Sequence, residues 1–229
     1  MPLESFNWID IPHNNYAIAK YPVTNKQFNQ FIEASAYDNQ QWWTEQGWQT
    51  KQAQGWIEPA YWHNNDLNSA RQPVVGISWY EAIAFCLWAS AVSNKNILLP
   101  TETQWQYASQ GEDGRNYPWG NDWHSANCHN SVDVDLEETG VTVAVNQFEG
   151  KGDSPFGVVG MSGNIWEWCL TDYTDLSNDM NTEARLRVFK GGSWDCDDIN
   201  DFRCDARDWG IPHARFDYSG FRVVSLEAI

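Results

Sequence analysis

The chain has 229 residues, a hydrophobic content of 42% and a formal net charge of −17 at pH 7. It is long enough to bury a sizeable core and apolar enough to be globular rather than disordered. The negative charge argues against nucleic acid and anionic membranes as partners, because phosphate groups attract Lys and Arg.

No targeting or membrane segment is recognisable in the sequence. The N-terminal stretch MPLESFNWID lacks a basic region followed by an apolar run, and no apolar stretch reaches about 18 residues. The five cysteines are odd in number and widely spaced, unlike a disulfide framework. We therefore expect a cytoplasmic protein with reduced thiols.

Three segments carry helix signals. Residues 21–34 join a threonine N-cap to apolar side chains at helical spacing. Residues 73–93 hold the clearest helix, with Ser78 and Glu81 at capping-box positions. Residues 98–109 repeat this scheme with threonine and glutamine. These segments predict helices that are interrupted by long irregular connections.

The other segments lack a clear period. Residues 37–68 are rich in Trp, Gln and Asn, so we expect loops and short turns there. Residues 141–145 are strand-like, and an apolar strand is predicted at 221–224. For the tryptophans of the first segment we favour core packing over a sugar or peptide groove. They are Trp42, Trp43, Trp48, Trp56 and Trp62.

Residues 191–224 alternate framing motifs with aperiodic stretches. The segment opens with Gly-Gly-Ser-Trp, closes with Gly-Phe-Arg-Val-Val and fits neither a helix nor a strand period between them. We predict that fixed anchoring residues, which we call posts, hold the ends of irregular loops. Binding residues are common on such loops. The posts are expected to include Trp194 and four buried or hydrogen-bonded arginines: Arg203, Arg207, Arg215 and Arg222.

Five motifs resemble the formylglycine-generating enzyme family, also called sulfatase-modifying factors. They are Val-Thr-Asn at 23–25, Leu-Pro-Thr-Glu at 99–102, Tyr-Pro-Trp-Gly at 117–120, Met-x-Gly-Asn-x-Trp-Glu-Trp at 161–168, and the frame of residues 191–224. The resemblance implies a C-type-lectin-like fold. We therefore predict a single α+β domain over residues 1–229, with two main helices, short antiparallel strands and much irregular structure.

This resemblance raises the possibility of a copper oxidase. Catalytic members of the family hold Cu(I) between two cysteines in a C-x4-C pair that follows Gly-Gly-Ser. Cys196 matches the first cysteine, but Asp201 stands at the second position, and a carboxylate is a poor ligand for Cu(I). Cys204 matches a structural Arg-Cys motif instead. We therefore do not expect copper or an intact oxidase, and Cys196 and Cys204 are the candidates if activity persists.

A non-haem iron enzyme is a further alternative, because related domains occur in sulfoxide synthases of thiol-histidine biosynthesis. In those enzymes a separate helical N-terminal domain supplies the iron histidines, and this sequence does not contain that domain. The five histidines include no H-x3-H pair. His124 and His129 lie close in sequence, but solvated or supporting roles suit them better than zinc.

The resemblance also implies structural calcium, held by loop oxygens as hard cations require. The first site would use the side chains of Asn127 and Asn146 and the carbonyl groups of Cys128 and Phe148. The second would use the carbonyl groups of Gly163 and Ile165 and the carboxylate of Glu167. Gly160 replaces an expected Asn or Asp at that second site. Alternatively, Glu167 is a buried carboxylate that backbone amides satisfy.

Residues 191–224 also resemble the variable region of proteins that diversity-generating retroelements rewrite at template adenines. Adenine changes in an Asn codon give residues such as Asp, Cys, Ile, Phe and Tyr, but never Lys, Glu, Gln, Met or Trp. Residues 195–224 contain no Lys, Glu, Gln or Met, although these residues are common elsewhere in the chain. Trp209 does not fit and would have to be encoded by the template.

We therefore favour a non-catalytic ligand-binding protein over a copper or iron enzyme, or a structural domain without diversified loops. Aromatic and acidic side chains suit a protein surface as the ligand. We expect the binding positions to form one exposed surface. They are Asp195, Cys196, Asp197, Asp198, Ile199, Asn200, Asp201, Phe202, Asp208, Trp209, Gly210, Ile211, His213, Ala214, Phe216, Asp217 and Tyr218.

Overall fold

The computed structural model describes residues 4, 6–132, 140–181 and 185–226. Its helices are α1 (Asn25–Glu33), α2 (Glu45–Gln54), α3 (Trp79–Ser93) and α4 (Glu102–Gln110). Its strands are β1 (Trp8–Ile11), β2 (Tyr16–Ala19), β3 (Ile97–Leu98), β4 (Trp166–Asp172), β5 (Arg187–Lys190), β6 (Asp208–Gly210), β7 (Ser219–Gly220) and β8 (Val224–Ser225). Much of the remaining described chain is irregular, so the predicted α+β class is confirmed.

Two four-stranded sheets organise the fold. The first has the order β1-β2-β8-β3, so the C-terminal strand lies between two strands from the first half of the chain. The second has the order β6-β5-β4-β7, in which β4 pairs antiparallel with β5 and parallel with β7. The region 191–224 therefore contributes strands to both sheets, which fixes the ends of its loops.

The predicted helix starts are confirmed for α1, α3 and α4. Each begins with a reciprocal capping box, in which the cap side chain and the residue three positions later satisfy each other's backbone amides. The pairs are Thr24 with Gln27, Ser78 with Glu81, and Thr101 with Gln104. Helix α3 is largely buried, and its Phe85 ring packs against Phe28, Phe31, Trp88 and Phe221.

Helix α2 corrects the prediction of loops for residues 37–68. It begins after Thr44, whose hydroxyl accepts a hydrogen bond from the Gly47 amide, and ends at Gly55 with a φ of 66°. Its sequence has almost no apolar face, so no helical period is visible. The ammonium group of buried Lys51 holds it in place by lying over three aromatic rings, those of Tyr37, Trp43 and Trp48.

The tryptophans of this segment pack into the core, as predicted. Trp43 and Trp56 are buried, and Trp42, Trp48 and Trp62 are partly buried against the same cluster. The predicted strand at 141–145 is wrong: this segment is irregular. Side chains replace a strand partner there, because Asn164 bonds both backbone groups of Val143 and a ring nitrogen of His129 lies 2.7 Å from the Val141 carbonyl oxygen.

The described helices are all too short, or too polar, to cross a lipid bilayer.

Candidate functional site

The frame of residues 191–224 is built into the core at its first turn. Gly191 and Gly192 adopt φ values of 105° and 72°, a region that favours glycine. A Cβ atom on Gly192 would also lie 2.8 Å from the ring of Phe202. The Gly-Gly pair is therefore required by both backbone conformation and close packing.

The other end of the frame is held by a buried ion pair. Arg222 donates from Nε to Oε2 of Glu167 at 2.7 Å and from Nη2 to Oε1 at 2.8 Å. Trp105 Nε1 donates to the same Oε2 at 2.7 Å. Arg222 also donates to the backbone carbonyl groups of Val159 and Gly160. This pair joins β4 to the segment between β7 and β8.

Arg215 is a second internal post. It donates to the carbonyl groups of Gly76 and Glu58 and, at 3.1 Å, to Oε1 of Glu81. Burial raises the pKa of the Glu81 carboxyl group, and the charge of Arg215 opposes that rise. Trp56 lies beneath the guanidinium group at 4.8 Å. Arg215 therefore ties the C-terminal loops to the start of α3.

The remaining posts are closer to solvent. Arg203 and Arg207 form ion pairs with Asp205 and Glu102, and each arginine side chain is 32% exposed. Trp194 is half-buried. The prediction of hydrogen-bonded arginines is confirmed for all four, whereas burial is complete only for Arg222.

The predicted binding positions are mostly accessible. The exposed ones are Asp197, Asp198, Ile199, Asn200, Asp208, Trp209, Ile211 and His213. The half-buried ones are Asp195, Cys196, Asp201, Ala214, Phe216, Asp217 and Tyr218. The remaining two, Phe202 and Gly210, are buried.

The prediction of surface display is wrong for these two residues. Phe202 is 0% exposed and packs 5.1 Å from the ring of Trp123. Gly210 lies against β4, where an added Cβ would meet Trp168 and Phe189 at 2.5 Å. Both residues belong to the core that supports the loops.

The accessible positions on and near β6 project to both of its sides. Trp209 pairs with Val188 across β5 and β6, and directly paired residues project to the same side of a sheet. Gly210 lies against Trp168 and Phe189 on the opposite side. Because side chains alternate along a strand, Trp209 projects away from the side of Asp208.

Residues 211–213 line a separate cleft of about 630 Å³. Tyr80 and Arg185 contribute to its walls, together with Gln46 and Leu186. These residues come from α2, from α3 and from the segment before β5, and none of them is predicted from the sequence. No local pattern links such distant positions.

The side of Asp208 carries what we call the acidic–aromatic face: Asp195, Asp201, Asp208, Phe216, Asp217 and Tyr218. The rings of Phe216 and Tyr218 stack with centroids 4.8 Å apart and planes 6° apart. Burial, followed by the negative charges of Asp195, Asp208 and Asp217, raises the pKa of Tyr218. Partial burial and neighbouring carboxylates likewise raise the pKa of Asp201.

Cys196 lies at the edge of this face. Asp201 lies close enough to act electrostatically on its thiol, and Ser193 Oγ lies 3.4 Å from its sulfur atom. Burial and the charges of Asp201 and Asp195 raise the pKa of Cys196 to about 11, although Ser193 opposes the rise. Asp201 therefore does stand beside Cys196, where the family places its second copper thiolate. These residues do not fit Cu(I).

Cys204 has a structural environment. It is buried, and Ser109 Oγ donates to its sulfur atom at 3.0 Å. Burial raises its pKa to about 11. No two of the five cysteines form a disulfide, since all five thiols lie in described residues and are free.

The proposed second calcium site does not fit the structure. Both carboxylate oxygens of Glu167 are engaged by Arg222 and Trp105, and the Gly163 carbonyl accepts the Ile165 amide at 2.9 Å. The alternative of a buried, satisfied Glu167 is right, but side chains rather than backbone amides satisfy it. An arginine at this position supplies the positive charge that a cation would otherwise bring.

The first calcium set offers only neutral oxygens. The Cys128 carbonyl accepts from Asn130 at 3.0 Å, and the Phe148 carbonyl accepts from the Lys151 amide at 3.0 Å. Across the ranges that the structure describes, no three His, Cys, Asp or Glu side chains converge as a metal site would require. Calcium at Asn127 and Asn146 stays a prediction. Burial lowers the pKa of His129, and its Nε2 lies 2.7 Å from the Val141 carbonyl oxygen.

Comparison with known proteins gives a consistent family. A sequence profile for the sulfatase-modifying factor enzyme 1-like domain matches residues 8–226. Hercynine oxygenase from Mycobacterium tuberculosis is 27% identical over 239 residues, which cover 94% of this chain and 53% of that protein. This chain thus spans about half the length of that enzyme.

For two further relatives, this chain matches a larger share of the relative's length. Formylglycine-generating enzyme from Thermomonospora curvata is 28% identical over 261 residues, covering 92% of this chain and 82% of the enzyme. Inactive C-alpha-formylglycine-generating enzyme 2 from Bos taurus is 28% identical over 247 residues, covering 92% and 77%. The matched relatives therefore include proteins named as enzymes and proteins named as inactive.

Solved structures show the same fold. Treponema denticola variable protein 1 superposes with a TM-score of 0.65 at 17% identity, covering 98% of this chain and 93% of that one. PvdO from Pseudomonas aeruginosa gives a TM-score of 0.65 at 19% identity, covering 92% and 80%. At these identities the likeness concerns the fold alone.

Proposed function

The chain belongs to the sulfatase-modifying factor enzyme 1-like family, and we propose that within this family it is a non-catalytic ligand-binding protein of the retroelement variable-protein type. The observation that carries the proposal is the separation of posts from loops. Gly192, Arg215 and Arg222 are fixed by close packing or internal hydrogen bonds, whereas all but two of the predicted binding positions reach solvent.

This separation permits sequence change at the loops. Substitutions at exposed positions away from caps and networks usually change stability by about 0.5 kcal/mol or less. Strands β6, β7 and β8 meanwhile hold the loop ends in the two sheets. The absence of Lys, Glu, Gln and Met from residues 195–224 also supports the proposal, because adenine changes in Asn codons never give these residues.

The genome provides the simplest test. We expect a near-copy of the coding sequence for residues 191–224 close to the gene, differing from it only where the copy has adenine. A near-copy with differences spread over all four bases would contradict diversification.

A panning experiment tests binding by the loops. We expect a phage-displayed random peptide library to yield binders that are lost when Ile199, Trp209 and Ile211 are all replaced by asparagine, because these side chains are 39%, 48% and 44% exposed on the loops. The matched control replaces three more accessible apolar residues elsewhere with asparagine, Ile57, Val92 and Leu176. Thermal melting should change little in either variant. Equal loss of binding in both would contradict a loop-borne site.

The copper chemistry of the family gives a test of the non-catalytic assignment. Asp201→Cys is expected to create a Cu(I) site with Cys196, since the two side chains already act on each other electrostatically and paired thiolates select Cu(I). Competition with a chromogenic Cu(I) chelator measures it. Asp198→Cys, on the same short turn, is the control and should bind no better than the wild type.

The enzyme alternative predicts the opposite behaviour. Wild-type protein that competes for Cu(I) as strongly as Asp201→Cys, or that converts cysteine to formylglycine in a sulfatase-type peptide by mass spectrometry, would favour the oxidase.

A further inference from the structure

The acidic–aromatic face carries carboxylates that no cation neutralises. Asp195, Asp208 and Asp217 all lie close enough to Tyr218 to raise its pKa, and Asp217 also lies between the two stacked residues in the sequence. None of the three takes part in an ion pair within residues 4, 6–132, 140–181 and 185–226. The face is therefore left with uncompensated negative charge.

The nearby arginines are committed to other partners. Each of the four arginines of the region pairs with a different carboxylate outside the face. The pairs are Arg203 with Asp205, Arg207 with Glu102, Arg215 with Glu81, and Arg222 with Glu167. These guanidinium groups are already engaged in fixing the loops, so the positive charge that would neutralise the face has to come from another molecule.

The rings decide what kind of cation fits. Phe216 and Tyr218 are half-buried and stack almost parallel, 4.8 Å apart, which leaves aromatic surface among the carboxylates. Aromatic faces attract organic cations, and the planar guanidinium group stacks on them while its N–H groups reach carboxylates. Calcium instead needs six to eight oxygen atoms converging at about 2.3–2.6 Å, and no three His, Cys, Asp or Glu side chains of the described residues are grouped so as to hold a metal ion.

We propose that the acidic–aromatic face binds an arginine-bearing segment of a partner protein, with a guanidinium group over the Phe216–Tyr218 rings and between Asp195, Asp208 and Asp217. This inference rests on the proposed function, since it names the partner chemistry of the same loops. Like charges held near partly buried rings repel one another in the free protein. A cationic partner relieves that repulsion on binding, and charge complementarity also speeds association.

The test uses three fluorescein-labelled peptides of equal length: alternating arginine–glycine, lysine–glycine and glutamate–glycine. Fluorescence anisotropy is measured at physiological salt. We expect the arginine peptide to bind the wild type most tightly. Replacing Asp195, Asp208 and Asp217 together with asparagine should weaken that binding at least about tenfold, the scale of a lost charge-assisted contact.

The net charge of −17 requires a matched control. Replacing Glu33 with glutamine and Asp66 and Asp122 with asparagine removes three charges from other exposed sites. This control is expected to weaken binding less than about threefold, because separated surface charges are screened at this salt. Tyr218→Leu removes a ring face without altering charge and should weaken the arginine peptide more than the lysine peptide.

The outcomes separate this inference from the proposed function. Equal weakening by the two charge-removing variants, or unchanged binding in the face variant, would overturn it, since attraction would then be general. The panning experiment distinguishes failure of the arginine partner from failure of the binding function. Loop-dependent binders that are neutral or acidic would overturn the arginine partner and leave the binding function standing, whereas a lack of loop-dependent binders would overturn the function itself.

Discussion

Arg222→Met is expected to lower the free energy of unfolding by about 3–5 kcal/mol, because it leaves a buried carboxylate without its positively charged partner. Glu167 is 1% exposed and would keep only the Trp105 indole as a partner. The backbone carbonyl groups of Val159 and Gly160 would also lose their donor. At roughly 2–4 °C per kcal/mol for a chain of this size, the melting temperature should fall by roughly 6–20 °C.

Arg207→Met is the matched control for this substitution. Its ion pair with Glu102 is partly exposed, and such pairs contribute about 0–1 kcal/mol. The double variant Arg222→Met with Glu167→Gln should lose less than the sum of the two single variants, since the residues are in direct contact. Similar melting of Arg222→Met and Arg207→Met would show that the buried pair is not a post of the fold.

Phe202→Ala is expected to cost about 3–5 kcal/mol, the range for removing a buried phenylalanine. Its ring is fully buried against Trp123 and lies beneath Gly192, so the cavity would open directly under the Gly-Gly turn. Urea unfolding measures the change. We also expect weaker ligand binding, because the loop backbone would lose its support.

Ile199→Ala provides the comparison for this variant. Ile199 lies on the same short turn but is 39% exposed, and its substitution should change stability by about 0.5 kcal/mol or less. A Phe202→Ala protein as stable as Ile199→Ala would restore the original prediction that Phe202 is a displayed residue.

The residues of the cleft show why a sequence predicts a binding region more easily than a binding surface. The frame of residues 191–224 was sufficient to locate the loops. It was not sufficient to show that Ile211 and His213 face Tyr80 and Arg185, while Asp208 faces Tyr218. These groupings depend on how β6 pairs with β5, and a strand of three residues carries too little pattern to reveal which side faces which neighbours.

Features that depend on local chemistry could be predicted from the sequence. The helix starts after Ser78 and Thr101 followed from capping boxes and the start after Thr24 from its N-cap and apolar spacing, because all of these signals lie within a few residues. The ordered motifs established the family resemblance, and Asp201 at the second thiol position argued against Cu(I) binding. Each of these inferences needed only neighbouring residues or a fixed motif.

The tertiary structure alone decided the features that depend on distant contacts. Helix α2 is held by Lys51 against rings outside it, Phe202 is buried by Trp123, and Glu167 is paired with Arg222 from 55 residues away. The physical reason is common to all three: whether a charge is neutralised or a ring is buried depends on what packs against it. In this chain those neighbours come from other segments, and the first sheet places the C-terminal strand between strands from the first half of the chain.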